Sequence, residues 1–249
     1  MKAILILACI VLLSGPCIFG QKNDLQKNHL WEHVKLIYEY DYNPIDTNGR
    51  ILNGELLYSF YNTFNSQGNK IDDIKYKPDG KIDKSYVYKY DNAGNRLEQK
   101  QINADGKLIR QITYRYNKKG ILEEDNSFLP GPRFEKKYTY DYDEKETVIG
   151  DNSYDSTHRL IKRFTYKYDD SGNKIETDQY TGEEKLDKKV VYKYDSRGNI
   201  IEETEANTKG TLVKYIYTYE FDKKYNWTRK IKFAGKKPVM LTERKIEYY

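Results

Sequence analysis

The chain has 249 residues, 33% of them charged, and its 43 basic and 38 acidic side chains leave a net charge of +5, or +4 once Lys2 departs with the leader described below. So balanced a surface excludes nucleic acid as the main partner, because phosphate binding needs a basic face that acids do not offset. Tyrosine is the outlier, 26 residues against 8 Phe and 2 Trp, so any core must be built largely from phenol rings.

The first element is a leader. Lys2 precedes an uncharged apolar run from Ala3 to Leu13, and small or turn-forming residues follow up to Gly20. This is the pattern of a secretory signal peptide, here cleaved near Gly20. The run is shorter than the roughly 20 residues of a bilayer-spanning helix, so no transmembrane segment is expected in the mature chain. Both cysteines, Cys9 and Cys17, fall inside the leader, which leaves a mature chain without disulfides. A lipoprotein anchor at Cys17 is the competing reading, and Pro16, where a small residue is expected, argues against it. The expected location is periplasmic, extracellular or at the cell surface.

Residues 21–57 are expected to form an N-terminal capping segment. They contain His29-Leu30-Trp31-Glu32-His33, which fits the H-x-x-E-H pattern of zinc peptidases. That chemistry needs a helix to place both histidines on one face, and a third ligand. The segment runs instead into the strand-like Val34 to Asp41, and only His158 remains elsewhere. No metal or other cofactor is therefore expected.

From residue 58 to 249 the chain repeats. The octapeptide YKYDNAGN at Tyr88 to Asn95 returns as YKYDDSGN at Tyr166 and YKYDSRGN at Tyr192. Its glycine position recurs at steps of 26 residues as Gly68, Gly94, Gly120, Glu146, Gly172 and Gly198, then slips by one to Tyr225. Tyrosine pairs keep the same step: Tyr88/Tyr90, Tyr114/Tyr116, Tyr140/Tyr142, Tyr166/Tyr168 and Tyr192/Tyr194, followed by Tyr219/Phe221. A looser copy, Tyr38 to Asp41, precedes the series.

Before each pair the sequence alternates with period 2, as a strand with one covered face does. The covered positions read Ile82, Lys84, Tyr86, Tyr88, Tyr90 in one unit and Leu186, Lys188, Val190, Tyr192, Tyr194 in another. A second turn lies half a period away, as in KPDGK from Lys77 and NADGK from Asn103, where glycine supplies the positive φ of a tight hairpin. Each unit is thus a β-hairpin. The expected fold is all-β: antiparallel β-hairpin repeats with a period of about 26 residues, forming a coiled or strongly twisted β-meander. About 16 strands laid flat would span about 75 Å, and open sheets beyond about 10 strands curl or split.

With its Y-x-Y-D-x-x-G-N motif, the chain from Tyr38 to Tyr249 resembles the YD-repeat, or Rhs-type, family of bacterial secreted and surface proteins. The resemblance rests on the tyrosine pairs, the Asp or Asn row and Gly68-Asn69, Gly94-Asn95, Gly172-Asn173 and Gly198-Asn199. It implies a β-rich repeat fold; large relatives wall a hollow shell around a toxin segment, and some repeats are linked to carbohydrate or cell-surface binding. On this resemblance the chain is expected to be a short member without a toxin domain.

The candidate binding residues are a basic row, Lys84, Arg110, Lys136, Lys162 and Lys188, interleaved with Tyr86, Tyr88, Tyr114, Tyr138, Tyr140, Tyr166 and Tyr192. Phenol rings stack on sugar faces and ammonium groups meet carboxylate or sulfate, so this face suits a glycan or envelope polymer. The plainer account has the long stems lying along the tyrosines with their heads in solvent. The aspartates Asp91, Asp169 and Asp195 are read as hydrogen-bonding their own turns, in preference to binding calcium. The carboxylates Asp72, Glu98, Glu124, Glu176 and Glu202 recur with the repeat, which argues for a surface row over a glycosidase pair. The expectation is a non-enzymatic binding protein; alternatives are a protein-interaction scaffold of an envelope complex and, more remotely, a polysaccharide hydrolase.

Overall fold

Period-2 alternation and turn chemistry act locally, and they build sixteen strands. The structure, a computed structural model, describes residues 23–249. The leader, with Cys9, Cys17 and cleavage near Gly20, lies outside the described residues. A single helical turn, α1 (Asp24–Lys27), is followed by β1 (Val34–Thr47), β2 (Arg50–Phe64), β3 (Lys70–Tyr76), β4 (Ile82–Tyr90), β5 (Arg96–Asn103), β6 (Leu108–Tyr116), β7 (Leu122–Leu129) and β8 (Arg133–Tyr142). The second half continues with β9 (Val148–Tyr154), β10 (Leu160–Tyr168), β11 (Lys174–Thr181), β12 (Leu186–Tyr194), β13 (Ile200–Asn207), β14 (Leu212–Phe221), β15 (Trp227–Ala234) and β16 (Lys237–Tyr248).

Every strand pairs antiparallel with its sequence neighbours, and β1 also pairs with β16, from Val34 opposite Tyr248 to Tyr42 opposite Leu241. The sheet is therefore a closed barrel. This corrects the expectation of an open, coiled or twisted meander: strand-by-strand twist brings the last strand back to the first, and closure satisfies the two rows of backbone groups that an open sheet leaves bare.

Most connections use one turn design. In the motif, the Asp91 N–H donates to the Asn95 carbonyl (2.9 Å) and the Gly94 N–H to that of Asp91 (3.1 Å). The Asp91 carboxylate accepts from the N–H groups of Ala93 (2.9 Å) and Asn95 (2.8 Å). At the opposite rim Asn103 does the same for Asp105 and Lys107. The fourth residue needs a left-handed backbone, which Gly94 adopts at φ +83° and which Glu146, His158, Glu184 and Tyr225 adopt without glycine. The Tyr38 to Asp41 stretch makes no such turn; it lies inside β1, which runs on to Thr47.

Directly opposed residues share a face, so the register sorts the two walls. Tyr86, Tyr88 and Tyr90 lie on one side with their counterparts in β6, β8, β10 and β12, half-buried, while Lys89, Arg115, Lys167 and Lys193 lie on the other, exposed. The N-terminal segment seats Leu25, Leu30 and Val34 against Ile37 and Phe64 at the tyrosine side of the rim. The tyrosine wall is the inner one. A bulge at the start of β4, β6, β8, β10 and β12 breaks the simple alternation: Ile82 opposes Tyr76 while Lys84 opposes Lys75. Ile82, Leu108 and Leu186 thereby turn outward, with exposures of 41%, 36% and 40%, instead of continuing the covered face.

The outer wall is laced with charge. Glu98, Glu124, Glu176 and Glu202 pair with Lys100 (3.0 Å), Arg115 (3.2 Å), Lys167 (2.6 Å) and Lys193 (3.0 Å). Among the described residues these charges interrupt the outer wall, where a lipid-facing barrel carries an apolar band of about 25 Å. The β1–β2 hairpin outreaches its neighbours and turns back over β15 and β16, where Arg229 donates to the Ile51 carbonyl (2.5 Å) and Asn53 to Glu243 (2.9 Å).

Candidate functional site

Two regions have the character of a site: the inner wall and the rim at the Y-x-Y-D turns. On the inner wall each motif's second tyrosine donates to a backbone carbonyl at the start of the preceding strand. Tyr90 reaches Lys70 (2.6 Å), Tyr116 reaches Arg96 (2.9 Å), Tyr142 reaches Leu122 (2.6 Å), Tyr168 reaches Val148 (2.7 Å) and Tyr194 reaches Lys174 (2.6 Å). Those carbonyls belong to residues at the register shifts, where the ladder is locally irregular, and the phenols add hydrogen bonds there.

The first tyrosines use side-chain acceptors. Tyr88 donates to Asp73 (3.4 Å), Tyr114 to Gln99 (3.3 Å), Tyr140 to Asp125, Tyr166 to Asp151 and Tyr217 to Glu203 (2.9 Å). Tyr192 is hydrogen-bonded to Thr177. This acceptor row, Asp73, Gln99, Asp125, Asp151, Thr177 and Glu203, has the 26-residue step of the motif and was missed; the same ruler laid 15 residues upstream of the first tyrosine finds the first five, while Glu203 lies 14 residues before Tyr217, which takes the first-tyrosine place that the sequence count assigns to Tyr219. Burial pushes the Asp125 carboxyl up to about 6, partly opposed by the Tyr140 hydroxyl, with Asp151 adding like-charge repulsion. The tyrosine hydroxyls of Tyr88, Tyr114, Tyr140, Tyr166 and Tyr192 are thus engaged within the wall. Tyr86 and Tyr138 share that wall, and Tyr86 lies 5.9 Å from the Lys84 ammonium.

The basic row divides. Arg110 makes two 2.9 Å bonds to Glu135, which also accepts from Ser127 (2.7 Å). Burial alone would raise the Glu135 carboxyl, but Ser127 and Arg110 outweigh it and hold it below its usual range. Lys188 pairs with Glu205 (2.8 Å). Lys84, Lys136 and Lys162 face the interior opposite Lys75, Ser127 and Ser153, and among the described residues none of the three forms an ion pair.

Near the seam the inner wall becomes a dense ionic cluster. Arg244 stacks 3.4 Å from the Trp227 ring and pairs with Glu39 (2.7 Å). Lys232 lies 3.7 Å from the Tyr215 ring and 3.4 Å from Glu203.

The rim is covered by residues 23–33. Asp24 accepts from Tyr90 (2.9 Å) and Arg96 (2.8 Å), and those partners outweigh burial to keep its carboxyl low. Further on, Asn226 brackets the backbone of Trp31, accepting from its N–H (2.8 Å) and donating to its carbonyl (2.9 Å). The H-x-x-E-H stretch is not helical: α1 ends at Lys27, and His29 and Glu32 have φ of 50° and 62°. Between this segment and the β10–β11 and β12–β13 turns lies a cleft of about 790 Å³. Among the described residues no helix is long and apolar enough to cross a membrane.

No family model and no curated protein matches the chain. Among solved structures it is similar to a porin-like protein from Bacteroides uniformis, with 11% identity, 86% of this chain and 98% of that chain covered and a TM-score of 0.58, a likeness of fold alone. Solved structures that resemble it also include the TcdB2-TccC3-Cdc42 complex, at 17% identity, 81% of this chain, 11% of that chain and a TM-score of 0.35. The Photorhabdus luminescens Tc holotoxin pore is similar at 17% identity, 77% of this chain, 12% of that chain and a TM-score of 0.31. The last two lie too far away to carry an argument, and the likeness that remains is one of fold alone, an antiparallel closed barrel.

Proposed function

We propose that this is an exported, non-enzymatic protein of the cell envelope, a short barrel of YD-type repeats that holds a glycan or cell-surface polymer against its inner wall. The observation that carries the reading is the division of the basic row: Arg110 and Lys188 are neutralised by Glu135 and Glu205, whereas Lys84, Lys136 and Lys162 keep unpaired ammonium groups facing the interior. Sixteen strands enclose space on the scale of an aqueous channel, and tyrosine rings beside those cations supply faces for sugar rings. The charged outer wall supports a barrel standing in water over one immersed in lipid.

The double variant Lys136→Ala/Lys162→Ala tests this. Binding to an array of acidic and neutral envelope polysaccharides should fall at least tenfold while the melting temperature stays put, since neither ammonium stabilises the fold through an ion pair. Undiminished binding would remove the inner wall from consideration.

A protein-interaction scaffold is the second reading. It is favoured by the β1–β2 hairpin, which leaves Ile45 50% and Leu52 37% exposed. Crosslinking in the native envelope should then recover one dominant partner, and Ile45→Asp should abolish its capture; recovery of none counts against this reading.

A further inference from the structure

The rim cleft joins a segment that no repeat supplies to two of the repeat turns. One side is the N-terminal segment, with Gln26, Leu30, Trp31 and Glu32; the other is formed by the β10–β11 and β12–β13 turns, including Ser171, Tyr194 and Arg197. Its volume, about 790 Å³, falls in the range of small-ligand sites. The two tryptophans of the chain have opposite fates. Trp227 is buried beneath Arg244, whereas Trp31 lines the cleft and leaves 50% of its surface open.

That exposure is not looseness. The Asn226 amide fixes the Trp31 backbone from both sides, and Asn226 itself is 1% exposed. The neighbouring Leu30 is anchored in the rim core, and Glu32 holds a left-handed backbone. The Trp31 backbone is thus held in place at an open recess with its indole half-exposed, which lowers part of the ordering cost for a flat ligand.

The charges in the cleft weigh against an anionic ligand, because the carboxylates of Glu32, Asp169 and Asp195 line it against Arg197 and an already paired Lys193. Asp169 and Asp195 are turned into their own loops, accepting from the N–H groups of Ser171 (3.0 Å), Asn173 (2.8 Å), Arg197 (2.9 Å) and Asn199 (2.9 Å). Lys193 is paired with Glu202 (3.0 Å). Glu32 and Arg197 remain, one of each sign. Arg197 is held between Phe221 and Tyr225, 5.1 Å from each ring. Together with Ser171 and Gln26 they offer donors and acceptors around an aromatic floor. A pyranose ring has one apolar C–H face and a girdle of hydroxyls, which is the matching arrangement.

We propose that this cleft is a saccharide site in which a neutral sugar ring stacks on Trp31 while Glu32, Arg197 and Ser171 bond its hydroxyls. The site is separate from the lysines of the inner wall, and it stands or falls independently of polymer binding there.

Tryptophan emission reports on it directly. Titration with cellotriose, maltotriose and chitotriose should give a saturable change with at least one of the three. Trp31→Ala should raise the apparent Kd at least tenfold, as truncation of a central aromatic contact does. Ser171→Phe, which fills the recess without touching the Trp31 backbone clamp, should do the same, by calorimetry, with an unchanged urea midpoint. Lys136→Ala/Lys162→Ala should leave the titration as it is. No saturable response to any of the three sugars overturns the proposal, and so does calorimetric binding that survives both Trp31→Ala and Ser171→Phe. Loss of trisaccharide binding in the lysine variant alone would place the sugar inside the barrel and likewise refute the cleft.

Discussion

Replacing Gly198 by alanine separates two costs that usually come together. Gly198 has φ +82°, and a Cβ there would stand 2.8 Å from His29 Nδ1 and 3.0 Å from His29 Cε1. Gly120 occupies the same place in its own turn, φ +80°, with nothing within 4 Å. Both substitutions put an L side chain in the left-handed region, at about 1–2 kcal/mol. Only Gly198→Ala must also displace the His29 imidazole, and it meets Asn173 Oδ1 at 3.3 Å. The ring is the exposed end of a side chain, so the cost stays at the low end of overpacking, about 1 kcal/mol. Gly198→Ala should therefore be less stable than Gly120→Ala by about 1 kcal/mol, and the backbone term cancels in the comparison. Urea unfolding followed by tryptophan emission measures the two midpoints, and equal m-values license the subtraction. Limited proteolysis should cut residues 23–33 faster in Gly198→Ala alone. Equal stabilities within about 0.5 kcal/mol, with equal cleavage rates, would refute the docking of this segment on the β12–β13 turn.

Three further outcomes are expected. Because burial raises the Asp125 carboxyl to about 6 from 3.8, the folded state keeps a proton that the unfolded chain has lost. This group's contribution is fullest below about pH 4 and declines as pH climbs through 6, by up to about 3 kcal/mol; Asp125→Asn should flatten that part of the stability profile, and an unaltered slope would exclude Asp125 as its source. Glu39→Gln strips the partner from Arg244, whose side chain is 14% exposed, and should cost about 3–5 kcal/mol with a change in Trp227 emission; a loss below about 1 kcal/mol would show that the seam does not depend on this pair. On the outer wall, Lys193→Ala removes a partner of Glu202 that Lys214 also serves at 2.8 Å, and the thermal unfolding midpoint should stay where it is, because exposed ion pairs contribute little; a clear drop would show that this pair supports the fold.

What could be read from the chain was what neighbouring residues decide among themselves. Asp91, Ala93, Gly94 and Asn95 make their turn with bonds that span at most four residues, and the tyrosine alternation assigns a covered face without knowledge of the rest. The basic row was legible as a row for the same reason. Its division into paired and unpaired members was not: Glu135 reaches Arg110 from 25 residues away, beside a register shift in β8. Bulges likewise sent Ile82, Leu108 and Leu186 to the outside, against a strict count by twos.

Closure and the rim cleft belong wholly to the tertiary structure. The period of 26 sets the hairpin, but whether sixteen strands stay open or meet depends on how small twists accumulate around the sheet, and no single repeat contains that sum. The seam joins Asp41 to Thr242 and the cleft wall joins Trp31 to Asn226, 195 residues apart. The chain by itself determined a repeating hairpin with one tyrosine face, because short-range sterics and hydrogen bonds act within each unit. Only folding decided that this face looks inward, and which of its charges remain free, because both follow from bringing the two ends of the chain together.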